Sequence, residues 1–258
     1  MCLALIARDA HPEAALIVAA NRDEFHARAS EPARFWDDPP DLLAGRDAVA
    51  GGTWFGVTRN GRFALVTNYH EPGATRDDAP SRGDLPIGYL AGDRDPAAHV
   101  ASLQPTIGRY NGFNLLLGDP GQAFCLSNRD PEPVRTIAAG GVHGLGNRLL
   151  DSAEPKLDAA RAGFANLLNA PLAGLDEALF VLLADRSTHG PDERSPDHPW
   201  RDALSAIFVA APGYGTRCST LLFVDRAGRA RFIERRFDAD GGITGETRET
   251  WRIEKETT

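Results

Sequence analysis

Cysteine is scarce in this 258-residue chain. Cys2, Cys125 and Cys218 are its three cysteines, and no C-x-x-C pair occurs. An odd count this small does not build a disulfide framework, and the missing pair argues against a thioredoxin motif or a zinc knuckle. Basic residues are also outnumbered. Lys plus Arg total 28 against 36 Asp plus Glu, for a net charge of -8. Nucleic acid is therefore an unexpected partner, because neutralising phosphate supplies most of that affinity. No apolar run approaches the ~20 residues that a bilayer span needs, so no membrane span is expected. The opening MCLALIARDAHPEAALIVAA lacks a basic leader, and Arg8, Asp9, His11 and Glu13 interrupt it, unlike a signal peptide. The expectation is a cytoplasmic, reduced protein. There is no G-x-S-x-G elbow and no P-loop, and Gly144-Leu145-Gly146 lacks the third glycine of a dinucleotide fingerprint. The seven histidines are dispersed with no pair at metal-ligand spacing, so neither a metal nor a cofactor is expected.

What is present reads as an ordinary globular composition, 42% hydrophobic and 25% charged. The 26 glycines and 18 prolines predict short elements joined by many turns. Two apolar runs, Cys2–Ala7 and Ala14–Ala20, flank a polar stretch and predict a hairpin covered on both faces. A second hairpin is predicted at 54–58 and 63–68 around Asn60-Gly61, with Ser30–Asp41 between the pairs as an ordered loop. Residues 71–84 read as a polar loop or flap. Helices are predicted near 85–91 and 96–103, the second N-capped by Asp95 with Pro96 at its first position. Strands follow at 111–118 and 123–127, then amphipathic helices at 154–168 and 176–184. Residues 186–201 read as a long loop, and strand patterning returns at 207–211, 219–225 and 230–236. With no linker or repeat visible, residues 1–258 are read as a single α+β domain.

Cys2 carries the chemistry. A small second residue favours removal of Met1, which would leave a cysteine bearing both a thiol and a free α-amine. Their ordinary pKa values are roughly 8.5 and 7.7–8.0, so the amine can take the thiol proton and later protonate a leaving amine. The alternative is a small buried hydrophobe in a first strand, the commoner fate of cysteine.

The neighbouring motifs favour the catalytic reading. MCLALIA, Asn21-Arg22-Asp23-Glu24 after the second strand, and Gly51-Gly52-Thr53-Trp54-Phe55-Gly56 resemble the NRDE family, the transport and Golgi organization protein 2-like proteins. Val66-Thr67-Asn68-Tyr69, Leu145-Gly146-Asn147 and Gly215-Thr216-Arg217 extend the resemblance over nearly the whole chain. The same order is more distantly similar to the bile salt hydrolase and penicillin V acylase group. That resemblance implies a four-layer αββα sandwich of N-terminal-nucleophile hydrolase type and hydrolysis of a non-peptide C–N amide bond through an acyl-Cys2 intermediate. By position, Asp23 would orient the Cys2 amine and Asn68 would donate to an oxyanion. Asn147 would be a second donor or position the substrate, and Arg217 would stabilise the thiolate. The acylase group has Arg directly before its Asn-x-Asp unit, where this chain has Ala20, so Arg22 would serve from a shifted position. Arg22, Trp54, Tyr69 and His70 are the expected substrate-binding residues, and His143 is a further candidate for the same pocket.

Each assignment has a structural alternative. Asp23 suits a turn acid or a partner of Arg22, Asn68 a loop cap, Asn147 a tight turn at positive φ, and Arg217 a loop fastener. The Gly51–Gly56 block reads as close backbone approach with Trp54 as core or pocket wall. Cys125 and Cys218 are read as core. The expected partner is a small molecule. A second function stays open: the eukaryotic relatives are associated with haem or lipid (acyl-CoA) handling, which implies a non-catalytic carrier with haem as a possible ligand. A thiol redox sensor at Cys2 is a third reading.

Overall fold

The two opening apolar runs do pair. In a computed structural model, which describes residues 2–71, 73–190 and 198–253, they form β1 (Cys2–Arg8) and β2 (Ala14–Phe25). Their antiparallel register runs from Cys2 opposite Arg22 to Arg8 opposite Leu16. The second strand is longer than its apolar run. Asn21, Arg22 and Asp23 therefore lie inside β2, not after it.

The segment Ser30–Asp41 is not simply a loop, which corrects the sequence reading. It contains β3 (Ser30–Phe35), which pairs with β4 (Leu42–Asp47). Charge and proline hid this edge strand, and edge strands tolerate both. The Asn60-Gly61 hairpin forms as expected from β5 (Phe55–Thr58) and β6 (Phe63–Asn68). Two short helices follow, α1 (Asp84–Leu90) and α2 (Pro96–Leu103). The Asp95 side chain accepts from the Ala98 N–H at 3.0 Å, the predicted cap. Next come β7 (Phe113–Gly118), β8 (Ala123–Ser127), β9 (Val134–Thr136) and β10 (Val142–Leu145). The amphipathic helices are α3 (Pro155–Leu167) and α4 (Leu175–Leu183), followed by a single turn, α5 (Arg201–Leu204). Residues 191–197 of the predicted 186–201 loop lie outside the described residues. The chain closes with β11 (Ala210–Ala211), β12 (Tyr214–Asp225), β13 (Arg229–Phe237) and β14 (Ile243–Arg252).

Among the described residues these strands make two antiparallel sheets. One runs β10-β1-β2-β12-β13-β14, with β11 paired to β12, and the other runs β3-β4-β5-β6-β7-β8-β9. Strand alternation sorts the core into three layers. Ala4, Ile6, Leu16 and Val18 meet Leu43, Val57, Phe63 and Leu65 between the sheets. Leu3, Leu5, Ile17 and Ala19 face outward and are covered by Leu157, Phe164, Leu179 and Phe180 of α3 and α4. On the far side, Tyr89 and Leu90 of α1 and Val100 of α2 cover Leu42, Ala64 and Leu115. The order is helix, sheet, sheet, helix, the expected αββα sandwich. Phe55 and Phe232 meet edge-to-face across the sheet interface at 5.8 Å, an arrangement that adds about 0.5–1.5 kcal/mol to simple burial.

One end of the sandwich is stitched across the two sheets. The Thr67 hydroxyl donates to the Gly146 carbonyl at 2.8 Å. Asn114, fully buried on β7, donates to the Thr67 hydroxyl at 3.1 Å and to the Arg148 carbonyl at 2.8 Å. The segment after β10 in one sheet is thereby held against β6 and β7 of the other. Cys2, the end of β2, Asn68 and Asn147 all come to this end.

Candidate functional site

Cys2 opens β1 with its side chain on the intersheet face, in step with Ala4 and Ile6. Its nitrogen donates to Asn147 Oδ1 at 3.1 Å. The Asn147 amide in turn donates to the Asn68 carbonyl at 2.7 Å, and the Asn147 carbonyl accepts from the His70 N–H at 2.8 Å. Asn147 thus ties the Cys2 nitrogen to the end of β6. It is a buried acceptor at the Cys2 nitrogen, and it is not among the residues at positive φ. Asn68 is exposed at the strand end, and its side-chain amide makes no hydrogen bond among the described residues. That amide faces a cleft.

The four residues of the Asn21–Glu24 motif divide by strand alternation. Asn21 points to the helix side, where its amide donates to the carbonyls of Leu183 and Ile207 at 2.8 and 3.0 Å and its oxygen accepts from Ser219 at 2.6 Å. It is a fastener. Arg22 sits opposite Cys2 and opposite Cys218 in the strand register, so its guanidinium occupies the intersheet side between the two thiols. It stacks over the Trp54 ring at 4.4 Å and lies 3.9 Å from both Glu24 and Asp47. The shifted arginine therefore does reach the face that carries Cys2. Asp23, 4% exposed, accepts from the Thr216 hydroxyl through Oδ1 at 2.7 Å. Its backbone carbonyl accepts from the Tyr214 hydroxyl at 3.1 Å.

Burial pushes the Cys2 thiol pKa up, and the Asp23 charge adds to that; the Asp23 backbone N–H and the Arg22 guanidinium pull the other way. Burial also raises the Asp23 carboxyl, against the charges of Lys156 and Arg22 and the Thr216 hydrogen bond. The net result favours the neutral thiol at rest.

Arg217 does not join this group. A bulge between Thr216 and Cys218 turns it away, and its guanidinium donates to the carbonyls of Phe25, His26 and Arg28 at 3.1, 3.2 and 3.2 Å. Its position corrects the expected thiolate partner and fits the loop-fastener alternative. Arg82 is a further cation near Cys2 beside Arg22, and it went unnoticed in the polar 71–84 loop. A glycine contact brings it in. Gly52 lies so close to Gly83 that a Cβ on Gly52 would meet the Gly83 backbone at 2.7 Å, and Thr53 N–H donates to the Gly83 carbonyl at 3.2 Å. The Gly51–Gly56 block thus sets the position of the neighbouring arginine as well as that of Trp54, whose ring occupies the space where Gly45 has no side chain.

The cleft has two lobes that share Asp23, Glu24, Asn68, Arg82 and Asn111. The Cys2 lobe, about 470 Å3, is polar and bordered by Arg22, Arg28, Asp47, Trp54 and Arg76. The other, about 360 Å3, takes in Tyr69, His70 and Asn147. Its far wall is aromatic. Trp200 stacks on Tyr214 at 5.6 Å, and the half-exposed Phe25 meets Tyr214 edge-on at 5.1 Å. The expected substrate-binding residues are therefore split: Arg22 and Trp54 in one lobe, Tyr69 and His70 in the other. His143 is not in either lobe; its Nδ1 lies 2.7 Å from Asp151 on the opposite side of β1. Cys125 and Cys218 are buried core residues, and burial raises the Cys125 thiol to about 12. Among the described residues no cluster of three or more His, Cys, Asp or Glu is arranged to hold a metal ion. None of their helices is long and apolar enough to cross a membrane.

The chain is 32% identical to the human Transport and Golgi organization protein 2 homolog over 91% of its own length and 92% of that protein's. The mouse Transport and Golgi organization 2 homolog is 31% identical over the same shares. Among solved structures, a variant of conjugated bile acid hydrolase from Clostridium perfringens aligns over 100% of this chain and 98% of that one, with TM-score 0.47 and 9% identity. Residues 1–239 match the family described as TANGO2, Transport and Golgi organisation 2. The chain belongs to the Transport and Golgi organisation 2 family.

Proposed function

We propose that the chain is an N-terminal-cysteine hydrolase that cleaves a non-peptide amide through an acyl-Cys2 intermediate. The observation that carries this reading is the Cys2–Asn147 hydrogen bond at 3.1 Å beside the open Asn68 amide. With Met1 removed, the Cys2 nitrogen becomes an amine that keeps Asn147 as its acceptor and retains a lone pair for a proton. The burial that disfavours a resting thiolate suits a nucleophile deprotonated only as it reacts. The α-amine takes the thiol proton while Sγ forms a bond to the substrate carbonyl carbon. The Asn68 amide donates to the resulting oxyanion, a contact worth about 3–4 kcal/mol when aligned. Collapse of the intermediate breaks the C–N bond, and the α-ammonium returns its proton to the leaving nitrogen. Water then attacks the thioester carbonyl as the amine takes its proton. Collapse breaks the C–S bond, and the ammonium returns that proton to Sγ, releasing the acid and restoring the thiol and free amine.

Two measurements test this. Intact mass shows whether Met1 is removed, and a panel of amides is turned over by wild-type protein and not by Cys2→Ser. Uniform retention of Met1 rules out the free-amine mechanism. A carrier for a haem-like or lipid ligand is the second reading, favoured by the aromatic wall of Phe25, Tyr214 and Trp200. Ligand binding undiminished in Cys2→Ala, with no turnover by wild type, would select it.

A further inference from the structure

Gly215-Thr216-Arg217 enters the site through a residue other than its arginine. Thr216 is 1% exposed at the inner end of β12. Its hydroxyl accepts from the Val209 N–H at 2.9 Å and lies 2.7 Å from Asp23 Oδ1. An amide N–H cannot accept, so the single hydroxyl hydrogen of Thr216 has one destination here, the Asp23 carboxyl. The direction of the chain Val209 N–H to Thr216 to Asp23 is therefore set by chemistry.

The local backbone makes this arrangement rigid. Thr216 N–H donates to the Val209 carbonyl at 2.9 Å, so the two residues bond in both directions. Gly215 allows that approach, since a Cβ there would lie 2.6 Å from the Val209 oxygen. On the other side, the Tyr214 hydroxyl holds the Asp23 carbonyl. Asp23 is gripped at its backbone and at one carboxyl oxygen by two residues of a single strand.

We propose that Thr216 is a positioning residue that orients the Asp23 carboxyl toward the Cys2 nitrogen, resting on the reading of Asp23 as the group that orients that nitrogen. With Oδ1 accepting from Thr216, Oδ2 is the oxygen that serves a nitrogen in the cleft. Any proton held by the carboxyl then resides on Oδ2. The hydroxyl is the essential feature, and the methyl group is packing.

The test compares Thr216→Val and Thr216→Ala, which lack the hydroxyl, with Thr216→Ser, which keeps it. Carboxyl carbon resonances follow the titration of Asp23, and an electrophilic amide or β-lactone probe reports Cys2 labelling. In the valine and alanine variants Asp23 titrates at higher pH than in wild type, because a donor to the carboxylate is gone. Labelling of Cys2 falls by about tenfold or more, the usual size of a lost hydrogen bond to a charged group. The serine variant restores both. An Asp23 titration unchanged in the valine and alanine variants overturns the proposal, as does a serine variant that behaves like valine. Failure of the hydrolase reading looks different: wild-type Cys2 stays unlabelled while the Asp23 titration still moves in Thr216→Val.

Discussion

Asn147 accepts a hydrogen bond from the Cys2 nitrogen at 3.1 Å, although 145 positions separate the two residues. The same side chain donates to the Asn68 carbonyl at 2.7 Å, so one amide couples the start of the first sheet to the end of β6 in the second. Its two ends have different tasks, and substitutions separate them. Asn147→Asp keeps the acceptor and loses the donor; Asn147→Ala loses both. We predict that Asn147→Ala lowers Cys2 labelling by about tenfold to a hundredfold, as expected for a bond to an amine that becomes charged when it takes the thiol proton. Asn147→Asp should lie between it and wild type. Equal labelling in all three proteins would remove Asn147 from the site.

Arg22 and Arg217 should separate reactivity from stability. Arg22 lowers the Cys2 thiol pKa, so Arg22→Gln is predicted to move the midpoint of pH-dependent Cys2 alkylation to higher pH. Arg217→Gln breaks three carbonyl contacts and should lower the unfolding free energy by about 1–3 kcal/mol without moving the alkylation midpoint. A shift of the alkylation midpoint in Arg217→Gln would restore that residue to the thiolate.

Gly52→Ala tests how Arg82 is placed. The added methyl meets the Gly83 backbone, which cannot rotate away, and overpacking of this kind costs about 1–3 kcal/mol. The expected result is a lower unfolding midpoint together with slower Cys2 labelling. Destabilisation with undiminished labelling would disconnect the glycine contact from the cleft.

Two buried or half-buried acids should give opposite pH signatures in thermal unfolding. Glu234 is 1% exposed, and burial raises its carboxyl pKa despite the Ala33 N–H and Arg236 nearby. A raised acid contributes most below its unfolded value, roughly 4.3, and loses that contribution as pH rises through its folded value. Glu234→Gln should therefore be more stable than wild type at neutral pH, with the difference vanishing in acid. Asp47 is partly opposed by burial, but the Arg28 hydrogen bond and the N–H groups of Ala50 and Val49 hold its carboxyl below the ordinary value. Its contribution is present above roughly pH 4 and is lost as pH falls through the folded value. Asp47→Asn should be less stable at neutral pH and equal to wild type in acid. The same sign for both variants would contradict these assignments.

Legibility in the sequence followed how local each signal was. The Asn60-Gly61 hairpin, the Asp95 cap and the amphipathic face of α3 depend on residues within a few positions of one another, and all three formed as read. The edge strand β3 and the last strand β14 did not show themselves. Their half-solvated, charged sequences carry no continuous apolar run. Asn21-Arg22-Asp23-Glu24 was visible as a motif, but its division into a fastener, a thiol-facing cation and a cleft acid required the strand register.

By itself the sequence determined that an apolar strand starts at Cys2, that a second apolar run pairs with it as a hairpin, and that strands and amphipathic helices share one α+β chain. Local periodicity and turn chemistry suffice for that. Only the tertiary structure decided which distant side chains meet there. It selected Asn147 and Thr216, brought in Arg82 through the Gly52–Gly83 contact, and sent Arg217 to the carbonyls of Phe25, His26 and Arg28. A one-residue bulge in β12 reverses the face a side chain presents, and no local propensity records that choice.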